Sequence, residues 1–120
     1  MHHIEIYVSN LENTKEFYSW ILSILGFELF QDWKDGFSYK MGEFYIVFVQ
    51  TKEKYLNNGY NRGNIGLNHL AFRCQTKDKI DQIRKNLIQR NIVLLYDDKY
   101  PYVGGAVCVA IQATKIVFSR

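Results

Sequence analysis

Apolar and polar residues alternate at the start of the chain: Ile4, Ile6 and Val8 are separated by Glu5 and Tyr7, with His3 ahead of them. A period of two marks a half-buried β-strand. The period then lengthens. Phe17, Ile21, Ile24 and Leu25 recur at helical spacing and line one side of a predicted helix. That helix opens at Ser9 or Asn10, where Ser9-Asn10-Leu11-Glu12 fits a capping box. Gly26 suits the left-handed position just past a helix C-terminus. An apolar strand follows from Phe27, and Asp35-Gly36 signals a tight turn, predicting a hairpin of residues 27–34 and 37–41. Glu43 to Thr51 is a third strand in succession.

The same order recurs downstream. His3-Ile4-Glu5-Ile6-Tyr7-Val8 matches His69-Leu70-Ala71-Phe72-Arg73-Cys74 at an offset of 66. A second helix opens at Thr76, carries Ile80, Ile83 and Leu87 on one side, and stops at Asn91. A strand over Ile92 to Tyr96 follows, and the offset falls to 65 so that Asp32 meets Asp97. Val103–Ile111 and Lys115–Phe118 complete the second half, joined by a short turn near Gln112-Ala113-Thr114. Lys52 to Gly66, with three Gly and four Asn, reads as a connection. The expected fold class is α+β: two tandem βαβββ modules, about 1–52 and 67–120 with the connection at 53–66. They are expected to form one domain with one open mixed sheet and the helices on its outer face. A module of about 60 residues has little core alone.

Composition narrows the function classes. At 120 residues, 48% hydrophobic and 16% aromatic, the chain has enough apolar surface to offset chain entropy, which excludes a disordered tail. The longest apolar run, Ala106 to Ile111, is far short of the roughly 18 residues of a membrane span. His2, His3 and Glu5 stand where a leader's basic head and apolar run would be, so no leader is expected. Two cysteines, Cys74 and Cys108, make neither a disulfide framework nor a CxxC metal site, and a reducing cytoplasm fits them. Charge is uneven. Residues 1–60 hold five Lys against eight acids, net −3, whereas residues 61–120 hold ten basic and four acidic groups, net +6. Lys77, Lys79, Arg84, Lys85 and Arg90 fall in one predicted helix, which reads as a solvated face. No aromatic motif of the RNA-binding sheets is present, and no nucleic-acid or membrane partner is expected.

Alternation also places the candidate chemistry. If Ile4, Ile6 and Val8 pack on the helix, then His3, Glu5 and Tyr7 face the other way, as do His69, Ala71 and Arg73 in the second half. Neutral imidazole is the commonest metal ligand, and two histidines at repeat-equivalent positions can converge on one ion. Gln50, on a face with Ile46 and Phe48, is a candidate third ligand through its amide oxygen. The bland alternative is a frayed His3 and a hydrogen-bonded core His69.

His3-Ile4-Glu5-Ile6-Tyr7-Val8-Ser9-Asn10-Leu11, then Phe17-Tyr18-Ser19-Trp20 and Leu25-Gly26-Phe27, resembles the opening of the vicinal oxygen chelate superfamily. This is the glyoxalase I, bleomycin-resistance and extradiol dioxygenase group. Gly66-Leu67-Asn68-His69-Leu70-Ala71-Phe72 resembles the start of its second module, and Tyr100-Pro101-Tyr102-Val103-Gly104-Gly105 the loop before its last hairpin. The resemblance implies a cup-shaped sheet cradling a divalent metal (Zn, Ni, Co, Mn or Fe), with ligands from the first and last strand of each module. By position these are His3, Gln50 and His69, while the usual last-strand Glu is replaced by Ser119. Glu5 is then the nearest candidate to move a proton. The implied activity is that of a glyoxalase-like lyase or isomerase acting on a small oxygenated anion, with Arg73, Tyr7 and Phe48 as substrate contacts. A non-catalytic small-molecule-binding or resistance protein of the same fold is the alternative, because Ser119 supplies no carboxylate. A homodimer is expected, since an inner face with Phe48 and Tyr7 is apolar surface that a partner would cover.

Overall fold

The computed structural model describes residues 1–61, 63–74, 76–92, 108–112 and 115–119. The chain divides into two compact units, Met1–Gly59 and Tyr60–Arg120. Unit one runs β1 (His3–Val8), α1 (Leu11–Ile24), β2 (Glu28–Trp33), β3 (Gly36–Met41) and β4 (Phe44–Gln50), followed by a 3-10 turn at Glu53–Asn58. This is the expected βαβββ module. Its sheet is mixed, in the order β1-β4-β3-β2, with β1 and β4 parallel and the other neighbours antiparallel. The chain must cross from β1 to β2 through α1, which leaves room for the late strand β4 to enter between β1 and β3.

Asn10, not a Ser9–Glu12 box, caps α1: its side-chain oxygen accepts the Asn13 N–H at 3.0 Å. The helix buries Ile21 and Leu22 completely, and the Tyr18 ring lies 4.4 Å from that of Phe48. Of the predicted stripe Ile21 is buried and Phe17, Ile24 and Leu25 are half-buried, with Leu22 added to the buried side and Tyr18 half-buried beside it. The Phe17 ring lies 5.1 Å from that of Tyr18. Gly26 adopts φ +98°, as the helix stop requires.

The hairpin turn falls at Lys34-Asp35, and Gly36 is the first residue of β3. Gly36 is needed for space rather than for a left-handed turn. A Cβ there would lie 2.5 Å from Cζ2 of Trp33 and 2.6 Å from the Phe48 carbonyl oxygen. On the side facing α1, Phe37, Ile46 and Phe48 are buried, and the rings of Phe37 and Phe48 stack at 5.0 Å.

Unit two carries β5 (Leu70–Arg73), α2 (Lys77–Gln89), β6 (Cys108–Gln112) and β7 (Lys115–Ser119). Thr76 caps α2 through the Lys79 N–H, and Ile80, Ile83 and Leu87 are fully buried, all as the repeat predicts. Asn91 takes φ +59° at the helix stop. The strand expected over Ile92 to Tyr96 and the Tyr100–Gly105 loop lie outside the described residues, apart from Ile92.

Two expectations change here. The described strands form two sheets, one of four and one of three strands, rather than one continuous sheet. The halves also pair differently: β1 lies parallel to β4, whereas β5 lies antiparallel to β6, in the order β5-β6-β7. No described helix is long and apolar enough to cross a membrane.

Candidate functional site: the sheet face opposite the first helix

Burial alternates along β1, with Ile4, Ile6 and Val8 half-buried and His3, Glu5 and Tyr7 exposed. The ladder register extends that face across the sheet. His3 pairs with Tyr45, Glu5 with Val47 and Tyr7 with Val49, and these β4 residues pair in turn with Lys40, Ser38 and Gly36. Laterally paired residues share a face, because side chains alternate along every strand.

The polar and aromatic groups on this face touch one another. The His3 imidazole stacks on the Tyr45 ring, with centroids 4.8 Å apart and planes 8° apart. His2 meets the same ring edge-on at 5.3 Å, and its Nδ1 lies 2.7 Å from Nδ1 of His3, one ring nitrogen donating to the other. Phe30 packs against Tyr45 at 5.3 Å, and the Lys40 ammonium lies 4.6 Å from the centre of the Phe30 ring. A cavity of about 340 Å3 has Glu28, Phe30 and Lys40 among its lining residues. Tyr7 projects beyond them, 60% exposed.

Two expected site residues are not on this face. Phe48 is fully buried against Tyr18 and Phe37, so it is core rather than substrate contact. Gln50 pairs with Val8 and therefore lies on the helix side of the sheet, opposite His3. Its Oε1 accepts the Leu11 N–H at 2.8 Å, and its Nε2 donates to the carbonyl oxygens of Ser9 at 2.8 Å and Thr51 at 3.3 Å. The position of Gln50 at the end of a strand parallel to β1 brings it beside the turn into α1. The carboxamide therefore joins β4 to the helix start instead of pointing at His3.

In unit two, Ala71 and Arg73 are exposed and alternate with buried Phe72, as predicted. His69 is exposed just before β5, its Nδ1 2.9 Å from Oδ1 of Asn68. Cys74 is buried. Ser119 ends β7, paired with Cys108.

This βαβββ arrangement can be set beside known proteins. The Glyoxalase/Bleomycin resistance protein/Dioxygenase superfamily matches residues 1–97. The chain belongs to that superfamily. An uncharacterized Bacillus subtilis protein, YqjT, is 45% identical over 105 residues, which are 88% of this chain and 82% of that one. A Bacillus halodurans protein provisionally named a glyoxalase has a crystal structure that superposes with a TM-score of 0.89 at 35% identity. That superposition covers 100% of this chain and 95% of the other. The lactoylglutathione lyase of Agrobacterium tumefaciens shares the fold, with a TM-score of 0.62 at 16% identity over 98% of this chain and 89% of its own. The superfamily match stops short of Tyr100–Gly105 and of the last hairpin.

Divalent metals are common in the superfamily. The donors in unit one do not fit one. A protein zinc site needs at least three side-chain ligands. Beside His3, β4 presents Tyr45, Val47 and Val49. Glu5 is two residues along the strand, roughly 7 Å away. Among the described residues no three His, Cys, Asp or Glu side chains gather around one point.

The residues that sequence reasoning missed are Tyr45, Phe30, Lys40 and His2. Tyr45 is the direct ladder partner of His3, which the register of β1 and β4 shows and the alternation along β4 does not.

Proposed function

We propose that this superfamily member binds a small oxygenated anion with a flat, unsaturated body on the face formed by His3, Tyr7 and Tyr45, and that it does so as a binding protein rather than a metal-dependent lyase. The observation that carries this reading is the stacked His3–Tyr45 pair with Phe30 and Lys40 beside it. Aromatic faces and edges take a flat ligand by offset or edge-on contact, each worth about 0.5–1.5 kcal/mol beyond burial. Lys40 and the imidazoles supply hydrogen-bond donors for carboxylate or enolate oxygens. Glu28, paired with Lys40 in the ladder, favours a ligand that also carries a hydrogen-bond donor. The chain is proposed to act in the cytoplasm as a homodimer, which sedimentation equilibrium tests: a single species near 14 kDa would refute the dimer.

Calorimetric titration of the full chain with benzoate, salicylate and phenylglyoxylate, in the presence of EDTA, tests the binding reading. At least one probe is expected to bind, and Tyr7→Ala or His3→Ala to weaken it at least tenfold. Binding that is unaltered in both variants, or no binding by any probe, overturns the reading. The same titration on His69→Ala and Arg73→Ala tests the expected roles of those two residues.

A further inference from the structure

We infer that the far end of the same face is a second aromatic station, built by Tyr7 and Trp33 around Val49, and that the ligand is an elongated anion carrying a second planar ring. The inference rests on the binding reading and extends it along the sheet. Three ladder pairs put Tyr7, Val49, Gly36 and Trp33 in one row across the four strands. Laterally paired residues share a face, so this row stands on the side of His3 and Tyr45. Its two aromatic members are open to solvent, Tyr7 at 60% and Trp33 at 44%. Between them the floor is low. Val49 is half-buried and Gly36 has no side chain. The place a Cβ on Gly36 would take lies 2.5 Å from Cζ2 and 2.9 Å from Cε2 of Trp33. The indole therefore leans over Gly36, one strand nearer to Tyr7 than its own backbone. Strands lie about 4.8 Å apart, which leaves roughly 10 Å between the indole and β1. One six-membered ring fits that space with an aromatic group on either side, since edge-on centroids sit about 5 Å apart.

His3 and Tyr7 stand four residues apart on β1, so the two stations are separated by about 13 Å. A one-ring ligand reaches one of them at a time. In the row between, Val47 and Ser38 are buried and Glu5 is exposed. The Ser38 hydroxyl is committed, donating to Oε1 of Gln31 at 3.1 Å. The Glu5 carboxylate is then the acceptor that a linker meets, and it favours an N–H over a second anionic group. The row order selects an aryl carboxylate, headed at Lys40 and the imidazoles, joined through an amide or amine N–H to a second ring.

Calorimetric titration of the full chain in EDTA with three ligands tests this. The first, 4-acetamidobenzoate, has one ring, and 4-(hexanoylamino)benzoate adds the chain alone. The third, 4-(6-phenylhexanoylamino)benzoate, ends that chain in a ring and spans about the 13 Å between the rows. The terminal ring is expected to tighten binding about tenfold over the hexanoyl ligand. Trp33→Ala and Tyr7→Ala should each cut that gain to under about threefold, while Trp33→Phe keeps most of it. A gain near one in the wild type, or a tenfold gain that survives both alanine variants, overturns the inference. If Trp33→Ala does not fold, the wild-type ratio and Tyr7→Ala decide. Binding of 4-acetamidobenzoate without the gain overturns the second station alone, whereas no binding by any of the three overturns the parent reading with it.

Discussion

Gly36→Ala probes the close packing of β3 against Trp33 and the β4 backbone. The added Cβ would meet Cζ2 and Cε2 of Trp33 at 2.5 and 2.9 Å and the Phe48 carbonyl oxygen at 2.6 Å. Trp33 is 44% exposed, so its indole can swing outward. The Phe48 oxygen cannot retreat as easily, because it belongs to the β3–β4 ladder, and the adjoining Gln50 N–H donates to Asp35 at 2.8 Å. Overpacking of this kind costs about 1–3 kcal/mol. Replacing Gly within a strand returns about 0.5–1 kcal/mol of backbone entropy. The expected net loss is about 1 kcal/mol, which for a chain of this length lowers the thermal midpoint by roughly 3–5 °C. Circular dichroism melts, with urea unfolding as a check on the slope, measure it. Trp33→Ala combined with Gly36→Ala should recover part of the loss but not all, since the clash with the Phe48 oxygen persists, and a double-mutant cycle isolates the indole's share. A Gly36→Ala protein that melts within 2 °C of wild type refutes the close approach.

Other substitutions separate core, caps and surface. Phe48→Ala should cost about 3–5 kcal/mol in urea unfolding, because a fully buried ring between Tyr18 and Phe37 is removed. Tyr7→Ala should leave stability within about 0.5 kcal/mol, since the side chain is largely exposed, while weakening probe binding. Thr76→Ala removes the α2 cap and should cost about 1 kcal/mol by the same unfolding assay. Lys15→Ala should cost under about 1 kcal/mol despite the 2.6 Å ion pair with Asp32, since both side chains are two-fifths or more exposed.

The first module was legible because its signals are local. A change of period from two to helical spacing, a glycine stop and a turn pair locate the four strands and the α-helix of unit one to within a few residues, while the 3-10 turn at Glu53–Asn58 falls in what reads as a connection. The internal repeat likewise places Thr76, Ile80, Ile83, Leu87 and Asn91. The site was less legible for one physical reason. Residues 44–49 of β4 are apolar on both sides of the strand, so alternation gives no phase: either Ile46, Phe48 and Gln50 or Tyr45, Val47 and Val49 could face α1. Only the register with β1 resolves it. That single parity moves Phe48 into the core, turns Gln50 onto the helix start and brings Tyr45 against His3. The α1 stripe is wider than predicted for a related reason, because Leu22 and Tyr18 join Phe17 and Ile21 on the packed side, Tyr18 through its contact with Phe48.

The most direct test of the account is chemical-shift mapping by NMR on the full chain, titrated in EDTA with whichever of benzoate, salicylate and phenylglyoxylate binds in the calorimeter. The account predicts perturbations concentrated at His3, Glu5, Tyr7, Lys40 and Tyr45, with Phe48 and the Gln50 carboxamide little changed. Perturbations centred on Phe48 and Gln50, or appearing only after a divalent metal is added, would contradict it.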